Sequence, residues 1–422
     1  MRVAVVGAGI SGLAAASLLH REHEVVVFEA NRYAGGDAQT IELTTDDGPI
    51  ALDVGFQIFE PRGYPNFQRL VIEACSVQTQ QAPISMCVTD QRDGFEWASS
   101  ALGLGVHPGN VIQPGYRRML RDVVRFNSAA RRLIEDGRRE LSFAAFLEAE
   151  GFSREFVERL IVPEVATVWS VGAAQVLASP ARFVARYLDN LCLLQLRRRA
   201  RFRSISGGSA RYVEALSRPF RDRIRLGAPV RRVERRPDGV EIEVEGCEAE
   251  RYDAAVLAVH ADQALAMLAD PSPGEREILG QIPFRRSIAA LHRDRGLLPE
   301  SRRAWASWNF RINGAERSAA TITYWLNNVH RLEAREDYLL TLNQPQAVDP
   351  AKTIRRLEYS HPVFSAAAVR AQARWAEISG ANNTHYAGAY WRWGSHEDGV
   401  LSAIRATRPL LSREQPLVPL RV

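Results

Sequence analysis

The sequence predicts an α/β fold built on a doubly wound, Rossmann-like parallel sheet, and three observations predict it. Val3-Ala4-Val5-Val6 is a short, β-branched apolar run that leads directly into Gly7-Ala8-Gly9-Ile10-Ser11-Gly12. A second run, Val25-Val26-Val27-Phe28, ends in Glu29. Between them Leu13-Ala14-Ala15-Ala16-Ser17-Leu18-Leu19 is apolar and helix-forming. Continuous apolar runs of this length make strands buried on both faces, and the helix between them makes the crossover.

Each element of that unit has a physical use. Gly7 permits a tight turn, Gly9 lets backbone approach a pyrophosphate, and Gly12 lets the helix lie close to the sheet. The amides of Ile10 and Ser11 open the helix, whose unpaired N–H groups and positive dipole end face the phosphates. Glu29, followed by Ala30, stands where a carboxylate accepts the ribose hydroxyls and repels a 2′-phosphate. The order strand, glycine turn, helix, strand, acid therefore predicts a dinucleotide site. Arg32-Tyr33-Ala34-Gly35-Gly36 then narrows the ligand to FAD. The second glycine pair lets backbone lie against the far end of a long cofactor. Thr40-Ile41-Glu42-Leu43 and Ile50-Ala51-Leu52-Asp53 alternate around Asp46-Asp47-Gly48, which predicts a hairpin where a nicotinamide enzyme normally continues into a helix.

Composition bounds the rest. The chain has 422 residues, 46% hydrophobic and 24% charged, enough for two or three globular domains. Collagen-like, mucin-like and disordered readings are excluded. Four cysteines, Cys75, Cys87, Cys192 and Cys247, lie far apart with no Cys-x-x-Cys, so neither a disulfide scaffold nor a zinc ribbon is expected. No apolar run is long enough to span a membrane, and the chain reads as cytoplasmic. The net charge of +5 comes almost wholly from arginine, because Lys352 is the single lysine. Schiff-base or lysine-base chemistry therefore has almost no residue to use.

The segment Arg117 to Arg139 reads as a helix in which Met119, Leu120, Val123, Val124 and Phe126 alternate with arginines. Leu191-Cys192-Leu193-Leu194 runs on toward Arg197-Arg198-Arg199-Ala200-Arg201-Phe202-Arg203. Both fit either a solvated face in an arginine-rich chain or peripheral contact with an anionic membrane. The basic residues accompany no nucleic-acid recognition motif, so no nucleic-acid partner is expected. His107, His292, His330 and His385 lack ligand-like companions, and no metal is expected.

With these residues in view, the chain resembles the flavin-containing amine oxidase and phytoene desaturase superfamily. The glycine turn, Glu29, Arg32-x-x-Gly35-Gly36 and Asp53-x-Gly55-Phe56 match its N-terminal signature. Ser206-Gly207-Gly208-Ser209, the Val230 strand and Asp253 to Val259 resemble later segments. Gly388-Ala389-Tyr390-Trp391 and His396-Glu397-Asp398-Gly399-Val400 resemble the last flavin-binding strand and helix. Phe56-x-x-Phe59, Tyr64-Pro65-Asn66-Phe67 and His361-Pro362-Val363-Phe364 are similar to bacterial FAD-dependent oxidoreductases related to polyunsaturated fatty-acid isomerases.

The resemblance implies a discontinuous layout. FAD-binding segments would lie at 1–60, 203–275 and 380–422, and an α+β substrate-binding domain at 61–202 and 276–379. It implies noncovalent FAD held by Gly7, Gly9, Ile10, Ser11, Gly12, Glu29, Ala30, Arg32, Gly35, Gly36, Gly55, Phe56, Val230, Glu397, Asp398, Gly399 and Val400. Tyr64, Tyr390 and His396 are the candidate groups near the flavin ring, with His361 behind them. Amine oxidases of the family use a lysine near the ring, whereas Lys352 follows Asp349-Pro350 in an apparent helix start away from the flavin motifs. Asp37 stands where relatives usually carry Arg or His. The expected activity is hydride abstraction from an apolar C–H of an unsaturated lipid or isoprenoid-like substrate. A flavin amine oxidase and a non-catalytic flavin-binding protein are the alternatives.

Overall fold

The computed structural model describes residues 1–99, 108–136, 140–169, 171–194, 200–313, 320–342 and 344–412. Strand Arg2–Val6 lies at the middle of a five-stranded parallel sheet, between Glu24–Glu29 and Ala254–Leu257. Ile224–Leu226 and Thr384–Tyr386 form its edges. Alternate side chains enter two different cores. Val3, Val5, Val25 and Val27 join one, and Ala4, Val6, Val26 and Phe28 join the other. This two-sided burial is why the strands read as unbroken apolar runs.

The opening helix, Ile10–Leu19, covers one face of the sheet and is crossed by the closing helix, His396–Thr407. The crossing is close. A Cβ on Gly399 would stand 2.8 Å from Ile10 Cγ2 and 2.9 Å from Ser11 Oγ. The hairpin of Thr40–Thr45 and Gly48–Asp53 forms as the alternation predicts. Asp53, buried at its end, accepts from Thr40 Oγ1 at 2.6 Å and from the Ser209 amide at 2.7 Å. That carboxylate pins the hairpin to the Gly207-Gly208 turn, more than 150 residues away in sequence.

A second, seven-stranded mixed sheet runs in the order Thr353–Pro362, Phe284–His292, Leu339–Leu342, Thr321–Trp325, Trp308–Ile312, Met86–Asp90 and Phe95–Ala98. Helices between residues 114 and 190 lie beside it, the longest being Pro114–Asp136. Val230–Arg236 opens a separate three-stranded antiparallel sheet.

Two local expectations are corrected. Gly388 to Trp391 is not a strand: the strand ends at Tyr386, and Ala389–Trp391 is a single 3₁₀ turn. The Gly388 amide turns away from the sheet to Ser402 Oγ at 3.0 Å, redirecting the chain toward the closing helix. Lys352 does not begin a longer helix either. Asp349 caps one 3₁₀ turn, Pro350–Lys352, which passes straight into strand Thr353–Pro362. The long helix spans Pro114–Asp136, while residues 137–139 and 195–199, and with them Arg197 to Arg199, lie outside the described residues.

The helix crossing yields a stability test. Gly399→Val should lower the unfolding free energy by about 2 kcal/mol through overpacking against Ile10 and Ser11. Gly172→Ala, whose Cβ would meet nothing within 4 Å, should leave the urea midpoint nearly unchanged.

Candidate active site

The site begins at the carboxyl ends of the parallel strands, where a doubly wound sheet leaves a crevice. Gly7, at φ +100°, donates its amide to Phe28 O at 2.7 Å and turns the chain into the opening helix. A Cβ on Gly12 would run into the Gly7 carbonyl oxygen. Gly9 is different, because a Cβ there would meet nothing within 4 Å. It faces open cavity. The helix behind it has no side-chain cap and no acid in its first turn, so its leading amides are left for an anion.

Glu29 is buried on the same crevice wall. One carboxylate oxygen accepts from the Ala8 amide at 2.7 Å, and the other accepts from the Asn31 amide and side chain, both at 2.8 Å. The carboxylate is thereby fixed and still has lone pairs for further donors. The Gly35 amide donates to Ala8 O at 2.8 Å, which sets the second glycine pair against the first.

These residues line a cavity of about 810 Å³. Gly7, Gly9, Ile10, Ser11, Glu29, Ala30, Gly35, Gly36 and Val230 all stand on it, as do Tyr390 and His396 at its far end. Four residues that the sequence did not single out as candidates near the ring also face it: His260, Phe284, Arg286 and Tyr359. His260 follows directly after the Ala254–Leu257 strand and its Ala258-Val259 exit, so the crevice rule for strand ends was the signal that locates it.

A second pocket, of about 220 Å³, adjoins the first. Asp37, Tyr359, His361, Pro362, Gly394 and His396 line both. The rest of the second pocket is mostly aromatic and aliphatic, with Gln57, Thr167 and Ser395 among its lining residues. Trp169 stacks on Tyr187 at 5.2 Å between ring centroids, and Phe364 stands 5.5 Å from Trp169. Tyr64, Phe56, Phe59, Trp308 and Tyr324 complete the enclosure. Burial raises the Tyr64 and Tyr187 phenols well above their ordinary value, so both stay protonated.

The structure therefore brings Tyr64 and His396 to the aromatic pocket, while Tyr390 lies on the larger cavity and packs against Phe284 and Trp391. Gly55 and Phe56 line the aromatic pocket, and Arg32 is exposed. His396 Nε2 pairs with Tyr212 Oη at 2.8 Å, and its ring stacks on Phe56 at 3.7 Å. Burial lowers its pKa to about 3, so the imidazole is neutral at physiological pH.

Glu397, Asp398, Gly399 and Val400 line neither cavity; they set the closing helix in place. Glu397 accepts from the Asn66 and Phe67 amides at 3.0 and 2.8 Å and from Asn66 Nδ2 at 2.6 Å. Asp398 closes a capping box with Ser395. Gly399 makes the crossing, and Val400 is core. Sequence spacing could not separate residues that touch a ligand from those that orient the helix presenting it.

Residues 10–298 match the model of the flavin-containing amine oxidoreductases. The chain belongs to that family. It is accordingly a flavin-dependent oxidoreductase. No curated protein sequence matches it. Among solved structures it is similar to cyclohexylamine oxidase from Brevibacterium oxydans, with 17% identity, TM-score 0.70, and 97% of this chain and 98% of that one covered. It is similar to a fatty acid isomerase from P. acnes that produces CLA, with 16% identity, TM-score 0.68, and 97% and 99% covered. A putrescine oxidase bound to putrescine aligns at 14% identity, TM-score 0.68, over 97% and 99%. At these identities the likeness is one of fold.

The glycine cradle, the uncapped helix and the size of the cavity fit this family's cofactor. Two variants test the assignment. Gly9→Ala should fold with an unchanged urea midpoint yet retain at least tenfold less flavin, because its methyl points into the cavity. For His396 the folded pKa lies below the ordinary 6.5, so its stabilising contribution is complete above pH 6.5 and is lost as pH falls toward 3. Wild-type stability should drop by up to about 1.4 kcal/mol per pH unit below 6.5 on this account. His396→Asn should show a shallower slope between pH 6.5 and 5 in urea unfolding.

Proposed function

We propose that the protein binds FAD noncovalently in the 810 Å³ cavity and takes hydride from an apolar C–H of an unsaturated lipid or isoprenoid-like chain held in the aromatic pocket. The observation that carries this reading is the pocket's lining. Aromatic and aliphatic side chains make up most of its walls, with Asp37, His361 and His396 at the junction with the cofactor cavity and Gln57, Thr167 and Ser395 as the other polar lining residues. Such a pocket desolvates a hydrocarbon and supplies shape, which is most of what hydride removal asks of a protein.

In this assignment segments 1–60, 203–275 and 380–422 hold the cofactor, and 61–202 with 276–379 hold the substrate. The amides of Ile10 and Ser11 would face the pyrophosphate, Glu29 would hold ribose, and Val230 would border the adenine end. His396, the first residue of helix His396–Thr407, would border the ring. When bound, the flavin supplies the hydride acceptor. Tyr64 closes the substrate side as a neutral phenol, and His396 lines the junction as a neutral imidazole. Tyr390 buttresses the far end of the cofactor cavity.

Lys352 disfavours the amine-oxidase alternative in its usual form. It is half exposed, lies on neither cavity, and pairs with Asp294 at 3.1 Å and Asp349 at 3.7 Å. The deciding experiment mixes the purified enzyme anaerobically with unsaturated fatty acids or phospholipids while following flavin absorbance. Bleaching, or an altered double bond without lasting bleaching, is the expected result; the first marks net oxidation and the second isomerisation. Silence toward every lipid, together with peroxide release from amines, contradicts the proposal.

Delivery of such a substrate fits a peripheral seat on an anionic bilayer. Val111 and Ile112, in the 3₁₀ turn Pro108–Ile112, are 58 and 77% exposed, and Leu120 and Val124, on helix Pro114–Asp136, are 46 and 53% exposed. Arg117 and Arg121 stand exposed beside them, without ion-pair partners among the described residues. No helix among the described residues is long and apolar enough to cross a membrane. Vesicles containing phosphatidylserine should float the protein at low salt, and Leu120→Asp with Val124→Asp should cut the floated fraction at least fivefold. Equal flotation of both forms contradicts this seat.

A further inference from the structure

The cavity read as the FAD site is short of positive charge for such a guest. Glu29, Asp37 and Glu358 stand on its wall, against Arg231 and Arg286. Both arginines are exposed, and Arg231 already pairs with Glu245 at 2.6 Å. An FAD pyrophosphate would add a doubly charged anion. The helix N-terminus at Ile10 answers with amide donors and only about half a positive charge. The balance stays negative unless a wall residue takes up a proton.

His260, His361 and His396 are the imidazoles on that wall among the described residues. His396 is already committed: Nε2 pairs with Tyr212 Oη, and burial holds its pKa at about 3. His361 lies among cations. Arg285 stands opposite it in the strand register, and Arg286 stands opposite Ser360 beside it. Its Nδ1 is spent on Ser287 Oγ at 3.3 Å.

His260 is placed differently. A Cβ on Gly7 would stand 2.5 Å from Ala258 O and 3.1 Å from Val259 Cγ1, so the chain leading into His260 runs against the glycine turn. A Cβ on Gly36 would stand 3.1 Å from Gly9 Cα, so Asp37, the next residue, is held against the same turn. The half-buried His260 ring lies flat on Phe284, with centroids 4.1 Å and planes 9° apart. Asp37 makes no ion pair among the described residues. An unpaired carboxylate and a titratable ring thus border the place where the pyrophosphate would lie.

We infer that FAD binding is coupled to the uptake of a proton, held by His260 beside Asp37, so that the cofactor is gripped more tightly at lower pH. Before binding, burial lowers the His260 pKa below its ordinary value, while Asp37 and the exposed Asp262 favour the charged ring. The incoming anion adds to the second effect and tips the ring to imidazolium. Solvent supplies the proton, the new bond is N–H, and no redox partner is needed. Other titratable groups on the wall stay out of the exchange. Burial raises the phenols of Tyr33, Tyr359 and Tyr390, which remain protonated. The guanidiniums beside His361 oppose a charge there.

This inference rests on the FAD reading, and its test needs no substrate. FAD is titrated calorimetrically into the flavin-free full chain at pH 7.5, in HEPES and in Tris, whose ionisation enthalpies differ. The difference in heats should give about 0.5–1 proton taken up per FAD, and the dissociation constant should rise at least about fivefold from pH 6.5 to 8.5. His260→Gln should bring the uptake close to zero and flatten that rise, and Asp37→Asn should at least halve the uptake. His361→Gln should keep most of it. Absence of uptake by the wild type, or full uptake by His260→Gln, overturns the inference, as does loss of uptake in His361→Gln alone. Should FAD fail to bind at any pH, the cofactor reading falls and takes this inference with it.

Discussion

The near contact of the opening and closing helices at Gly399 fixes where both helix N-termini point, and the two cavities follow from that. Ile10 and Ser11 present the first turn of one helix to the crevice, and Gly399 lets the other helix lie directly across them. Any side chain at position 399 would push the helices apart and swing His396 away from the junction of the cavities. From the same closing helix Glu397 reaches residues 66 and 67, some 330 positions earlier. One short helix therefore sets both the cofactor crevice and the aromatic wall that begins at Tyr64.

The buried acids share a common use. Glu29, Asp53, Glu397 and Asp398 each accept from backbone amides that join distant segments or cap a helix. Such bonds are charge-assisted and directional, and they spend the carboxylates on position. At the junction of the cavities Asp37 supplies a carboxylate, while burial holds His396 uncharged and lowers His361; His260, on the larger cavity, is lowered in the same way.

Much of the cofactor crevice was legible in the sequence because backbone geometry dictates it. Only glycine meets the constraints at positions 7 and 12, and apolar runs buried on both faces announce themselves as strands. The hairpin at residues 40–53 was legible for the same reason, through alternation. The closing segment was less so. Glu397 and Asp398 resemble ligand-binding residues in spacing, yet their partners are Asn66, Phe67 and Ser395, contacts that no local pattern encodes. Gly388 to Trp391 resembles the family's last strand, but the Gly388 amide is drawn to Ser402 and Ala389–Trp391 makes a 3₁₀ turn. The aromatic pocket was the least legible part. Trp169, Tyr187, Phe364 and Trp393 converge from separate helices and loops, and tertiary packing alone brings them together.

The central claim is that a flavin adenine dinucleotide sits, unlinked, along the crevice between the two helices. Acid precipitation of the purified chain tests it most directly, with the pigment in the supernatant quantified against protein. The account predicts about one equivalent of FAD released and a colourless pellet. A well-folded chain that releases no pigment and takes up none on titration would contradict it.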